Sequence, residues 1–208
     1  MDKKIQQIVE VVKAKHDLQV VIIYGSYARG DYNSVSDLDI LGFKDGIHEI
    51  YTDTSIIEGI QLDAWIEPLN REKSIDQYLK ILGGVICYDS HDFATKLMKD
   101  VNECYRNGPA PLDENKKIHI ISWINKMLRR SEISDVEGNF RRIWLLNDLL
   151  KYYFELRDQW YLGPKLALQT LKENDPHTFI QYQHVLSHTN DLEELKLLSQ
   201  TVINTKPQ

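Results

Sequence analysis

The chain has 208 residues, with 25 Lys and Arg against 31 Asp and Glu and a formal net charge of -6. Its length fits one large domain or two small ones, and 42% apolar with 27% charged residues excludes a disordered or fibrous chain. The acidic balance argues against nucleic acid and against anionic membranes as partners, because both demand a surplus of Lys and Arg.

In chain order, residues 2–16 predict a helix, with Ile5, Ile8, Val9 and Val12 on one face and Asp2 as its cap. Leu18 to Tyr24 is β-branched and nearly all apolar, the pattern of a strand buried on both faces. Gly25-Ser26 breaks it, a polar loop follows through Ser36, and Asp37 to Phe43 predicts a second strand. Residues 48–57 and 60–66 predict a hairpin about Glu58-Gly59. Asn70 is expected to cap a helix ending near Gly83-Gly84. A short strand over Val85 to Tyr88 then leads to a helix capped by Ser90 and running to about Arg106.

Asn107-Gly108-Pro109-Ala110-Pro111 joins a helix stop to a stiff link and marks the expected boundary between domains 1–108 and 109–208. Beyond it the pattern is helical, near 113–131, 136–159, 164–173, 176–188 and 191–203, with starts at Asp113, at Asp175-Pro176 and at an Asn190…Glu193 capping box. The fold class expected is α+β: a mixed sheet flanked by helices, followed by an all-α bundle. Charge divides at the same place. Residues 1–108 hold 12 Lys and Arg against 18 Asp and Glu, whereas the remainder holds 13 of each.

The two cysteines, Cys87 and Cys104, are too few for a disulfide framework or a Cys-rich zinc site. No apolar run reaches the roughly 18 residues of a membrane span, and residues 1–17 lack the apolar core of a signal peptide. A cytoplasmic chain is expected.

The chemistry concentrates in Tyr24 to Ile40, YGSYARGDYNSVSDLDI. On a strand, Asp37 and Asp39 point the same way while Leu38 and Ile40 point into the core. Two carboxylates about 5 Å apart repel by about 3 kcal/mol at an effective dielectric near 20. A divalent cation removes that cost, and all-oxygen ligation suits Mg²⁺. Asp63, within the strand pattern IQLDAWI, offers a third carboxylate on the face shared with Trp65. Three such groups can hold two ions that clamp an in-line displacement at phosphorus. Gly25 lets a phosphate approach, Ser26 and the following turn offer donors, and Arg29 can reach an outer phosphate or pair with Asp31 or Asp37.

Tyr24-Gly25-Ser26, ten intervening residues, then Asp37-Leu38-Asp39-Ile40 resembles the signature of the DNA polymerase β-like nucleotidyltransferase superfamily. The fuller GSYARG…SDLDI is similar to its bacterial branch, which holds kanamycin- and lincosamide-type nucleotidyltransferases and minimal nucleotidyltransferase antitoxins. The resemblance implies nucleotidyl transfer. Asp37 and Asp39 would bind two Mg²⁺, Asp63 would hold the catalytic one and help deprotonate the acceptor, and Gly25, Ser26 and Arg29 would hold the triphosphate. The substrates implied are ATP or another nucleoside triphosphate and a hydroxyl of a small molecule such as an antibiotic. A protein acceptor or an inactive nucleotide-binding module is the alternative. A monomer or a homodimer is expected.

The helical half carries weaker signals. Asn147 and Asp148 interrupt an apolar face and can reach an acceptor or sit buried and satisfied. Lys126, Arg129, Arg130, Arg141, Arg142 and Lys165 can face a triphosphate or solvent. His177, His184 and His188 share one helix face but spread over about 16 Å, too far for one ion.

Overall fold

A computed structural model describes residues 2–70, 73–133 and 135–204. The chain divides into two compact units, residues 1–107 and 108–208.

In the first unit, helix α1 (Lys3–His16) begins where Asp2 Oδ1 accepts from Lys4 N at 2.9 Å, and it buries Ile5, Ile8, Val9 and Val12. These pack on one face of a mixed sheet, against Val21, Ile23, Leu38, Ile40, Leu62, Ala64 and Ile66. The strands are β1 (Val20–Tyr24), β2 (Leu38–Lys44), β3 (Tyr51–Asp53), β4 (Ile56–Ile57), β5 (Ile60–Pro68) and β6 (Val85–Asp89), in the order β3-β5-β2-β1-β6 with β4 on β5. Only β2 and β5 run parallel among the paired strands. On the opposite face the Phe43 ring packs at a tilt against Tyr78 of a 3-10 helix (Ile75–Ile81) and against Phe93 at the start of α3 (Phe93–Asn107). A five-residue helix, α2 (Gly25–Arg29), follows β1 directly.

Several boundaries differ from expectation, each for a local reason. The helix expected from Asn70 begins only after Ser74 and is a 3-10 helix, because Ile75, Tyr78 and Ile81 recur every three residues, the period of that helix and not of an α-helix. Asn70 is exposed and lies outside it. Asp89, not Ser90, caps α3: its two oxygens take the N–H groups of Ala94 at 2.8 Å and Thr95 at 2.9 Å, a pairing that one hydroxyl cannot supply. The expected strand 48–57 is reduced to β3 and β4, because Ser55 N donates to Asp53 Oδ1 and bends the chain between them. The Glu58-Gly59 turn has positive φ at both residues, as a two-residue hairpin requires.

Asp53 fastens α1 to β3. Lys15 Nζ and His16 Nε2 each lie 2.7 Å from Asp53 Oδ2, and the carboxylate is buried. Burial pushes its pKa up, but the hydrogen bonds from Lys15, His16 and Ser55 outweigh that and hold it well below the usual carboxylate range. A depressed carboxylate contributes stability that is present above its unfolded pKa near 4 and is lost as pH falls through the folded value. Asp53→Asn is therefore expected to cost about 2 kcal/mol at pH 7, with the gap narrowing below about pH 4. Urea unfolding at pH 7 and pH 3 checks this.

The second unit comprises α4 (Glu114–Ser131), α5 (Val136–Glu155), α6 (Pro164–Asn174), α7 (Pro176–Ser187) and α8 (Leu192–Ile203), packed about Ile124, Leu145, Leu149, Leu171, Tyr182 and Leu198. Asp113, Asp135 and Asp175 cap α4, α5 and α7. At α8 the capping carboxylate is Asp191, accepting from Glu194 N, one residue beyond the expected Asn190. Among the described residues no helix is long and apolar enough to cross a membrane.

Candidate active site

Register brings the motif together. Antiparallel pairing of β1 with β2 sets Tyr24 opposite Asp39, and parallel pairing of β2 with β5 sets Asp63 on the other side of Asp39. Tyr24, Asp39 and Asp63 therefore form one row across three adjacent strands, on the face away from α1. Gly25 follows at once with φ +69°, and a Cβ there would lie 1.9 Å from Asp39 Oδ2. Only glycine permits this closeness of backbone and carboxylate.

The row is electrostatically loaded. Burial, then the charges of Asp63 and Asp37, raise the pKa of Asp39 from 3.8 to about 6, against weaker relief from Arg29 and Lys80. Burial, then Asp39, Asp63 and Glu67, raise that of Tyr24 as well. Asp63 Oδ1 accepts from Trp65 Nε1 at 2.9 Å. Glu67, further along the same face of β5, is fully buried and is satisfied by Lys73 Nζ at 2.9 Å and Tyr78 Oη at 3.0 Å.

Asp37 departs from expectation. It precedes β2 and is exposed, so strand alternation does not bind it to Asp39. It lines a cavity of about 500 Å³ with Tyr27, Tyr32, Asn33 and Ser36, in which the two tyrosine rings stack at 4.3 Å. Among the described residues no three His, Cys, Asp or Glu side chains converge to hold a metal ion. The structure thus unites Asp39 and Asp63 and leaves Asp37 coupled to them only through its charge. Ser26 is buried beside the row, and Arg29 pairs with Asp31 at 3.4 Å.

One residue at the row was missed from sequence. Lys80 Nζ sits 5.3 Å from the Tyr24 ring centroid and 5.0 Å from that of Trp65. No spacing rule links it to the motif; only the fold of the 3-10 helix onto this face brings it there.

In the second unit, Arg142 is buried, donating from Nε to Ser131 O at 2.7 Å, and Arg141 pairs with Glu137 at 2.7 Å. Arg142 therefore faces neither of the two expected partners, phosphate or solvent. Lys126, Arg129, Arg130 and Lys165 are exposed. Asn147 and Trp144 both donate to Asp148, at 3.2 and 2.9 Å, on the outer face of α5. His184 and His188 stack at 4.6 Å, and His184 pairs with Asp191.

The family model described as "Polymerase beta, Nucleotidyltransferase" matches residues 6–81, which include the whole row, Gly25 and Lys80. That match lies within the first unit and makes it similar to the polymerase β-like nucleotidyltransferases. A Methanocaldococcus jannaschii relative named "Putative protein adenylyltransferase MJ0604" is 45% identical over 42 residues, 19% of this chain and 42% of the relative. The chain thus spans less than half the length of that relative. The crystal structure of a nucleotidyltransferase-like protein from Exiguobacterium sibiricum 255-15 aligns over 97% of this chain and 75% of its own, at 11% identity and a TM-score of 0.45.

Proposed function

We propose that the chain transfers a nucleoside monophosphate, AMP from ATP, to a hydroxyl acceptor and releases pyrophosphate. The observation that carries this reading is the row Tyr24, Asp39, Asp63 with Gly25 seated on Asp39, inside a polymerase β-type nucleotidyltransferase domain. The donor set fits a hard divalent cation. Two half-buried carboxylates lie side by side, and neither has an ion-pair partner among the described residues. Asp39 and Asp63 would hold Mg²⁺, and the charge of Asp37 would add to the field at the ion. When bound, Mg²⁺ polarises phosphoryl oxygens and lowers the pKa of an attacking hydroxyl.

The chain's own residues position the reactants. Gly25 and Ser26 open α2, so their backbone N–H groups have no intrahelical acceptor and can donate to the triphosphate. Arg29 can add a charge at the outer phosphate. Asp63, which accepts a hydrogen bond from Trp65, would take the acceptor's proton. Orientation and electrostatics of this kind supply most of the catalysis in phosphoryl transfer.

A small-molecule acceptor, of the aminoglycoside or lincosamide kind, is supported by a cavity of about 710 Å³ in the helical unit. Leu112, Ile120, Tyr152, Trp160 and Tyr161 line it, a size and an apolar lining suited to a drug-sized molecule. A protein side chain as acceptor is favoured instead by the name of the archaeal relative. Incubation with Mg²⁺, α-labelled ATP, a panel of hydroxylated antibiotics and a cell extract separates the two. Label on a drug supports the first, and label on a protein band supports the second. Absence of pyrophosphate release with all four nucleotides overturns the transferase reading.

A further inference from the structure

Lys80 is held at the row but not used by it. Its ammonium lies between the rings of Tyr24 and Trp65, at 5.3 and 5.0 Å from their centroids, an arrangement that fixes a cation through both ring faces. Both rings belong to the site. Tyr24 pairs with Asp39 across β1 and β2, and Trp65 donates to Asp63. The stem is anchored by its neighbours, since Tyr78, Leu79 and Ile81 of the same 3-10 helix are buried.

A structural lysine in this position would be expected to pair with a carboxylate. Glu67 is the nearest in charge coupling, yet its two oxygens are taken by Lys73 at 2.9 Å and Tyr78 at 3.0 Å. Asp63 gives one oxygen to Trp65, and Asp39 lies against Gly25. Among the described residues Lys80 makes no ion pair and no hydrogen bond. Partial burial of the ammonium lowers its pKa, while Glu67, Asp63 and Asp39 pull it back up. An ammonium carries three donors. Lys80 is exposed, so its donors are spent only on water, and a ligand can take them without breaking a contact within the protein.

We infer that Lys80 Nζ is a phosphate-binding cation of this site, donating to the non-bridging oxygens of the polyphosphate tail of a nucleoside triphosphate. The inference rests on the nucleotidyl-transfer reading. It places the anion's counter-charge on the first unit itself, beside the carboxylates, rather than on the arginines of the helical unit. A lysine is a point charge that follows a phosphate without demanding bidentate geometry. The two ring contacts bias the charge toward this position before the nucleotide arrives, which reduces the side-chain entropy lost on binding.

The test is calorimetric titration of the full chain with a nontransferable ATP analogue plus Mg²⁺, and with inorganic tripolyphosphate. Lys80→Met keeps the apolar stem between the rings and removes the donors. It is expected to bind both ligands at least tenfold more weakly, while Lys80→Arg stays within about threefold of wild type. Equal binding by wild type and Lys80→Met overturns the role of Lys80 and leaves the transferase reading standing. Failure of the wild type to bind either ligand overturns both. NMR of the wild-type chain with ¹³C-methylated lysines gives a readout independent of any variant's folding. The Lys80 signal is expected to shift with tripolyphosphate, and an unmoved signal at saturation sinks the inference.

Discussion

Asp39→Asn is expected to abolish nucleotidyl transfer while making the metal-free protein more stable above pH 6. The two effects share one cause. Asp39 is half-buried between Asp63 and the exposed Asp37, and its pKa is raised from 3.8 to about 6. An acid whose folded pKa is raised favours the folded state when protonated. Its contribution is fully present below the unfolded pKa near 4 and is lost as pH rises through about 6. A neutral asparagine escapes that loss. Solvent screening of a half-exposed group leaves a gain of about 1 kcal/mol at pH 8, or roughly 2–4 °C in melting temperature for a chain of this size. Melts in EDTA at pH 8 and pH 4 should show the gain at the first and none at the second. The amide cannot offer two anionic oxygens to Mg²⁺, so turnover should fall by about 10³-fold or more. Asp37→Asn should also lose transfer, with a smaller stability change because Asp37 is exposed. Near-normal turnover in Asp39→Asn would remove the residue from the site. A destabilised variant at pH 8 would remove the electrostatic account.

What the sequence carried well was local and periodic. Asp2 and the Ile5-Ile8-Val9-Val12 face define α1 because a cap and a 3.6-residue stripe are written within one segment. The spacing from Gly25-Ser26 to Asp39 was legible because a tight turn and an acidic strand leave characteristic residues. Sheet order was not legible. Period two says that Asp39 and Asp63 each face away from a core, but only the parallel register of β2 with β5 makes them neighbours. Period two also misleads at a strand end: Asp37 lies just outside β2, so its alternation with Asp39 has no ladder to enforce it.

Long-range charge placement was the least legible property. The acid excess of the first 108 residues pointed to a need for cations, and the arginines of the helical half were the natural candidates in a linear reading. The fold engages three of them elsewhere. Arg142 is buried on Ser131 O, Arg141 is held by Glu137, and Arg157 donates to the carbonyls of Thr201, Val202 and Asn204 at the end of α8. Arg142 and Arg157 serve the bundle's own unsatisfied backbone groups, a use that leaves no trace in composition. Lys80 stands beside the carboxylates because a three-residue apolar period folds its helix onto the sheet.

Gly25→Ala is the second variant with a large expected effect, and it tests the geometry rather than the charge. At φ +69° an alanine costs about 1 kcal/mol in backbone strain alone. Its Cβ would also lie 1.9 Å from Asp39 Oδ2 and 2.7 Å from Cγ, distances that no real contact sustains. The carboxylate is the movable partner, so the clash is relieved by turning Asp39 out of the row. Stability should therefore fall by only about 1–2 kcal/mol, while transfer falls by about 10²-fold or more, because a displacement of about 1 Å at a reacting centre is enough for that. The coupling is measurable. In an Asp39→Ala background the obstacle is gone, and Gly25→Ala should cost the backbone term alone, so the two substitutions are less than additive. Equal costs in both backgrounds would show that Gly25 is required by its backbone and not by the carboxylate above it. A shortfall of the strain-only size would show that the Gly25–Asp39 contact is what ties the phosphate turn to the acidic row.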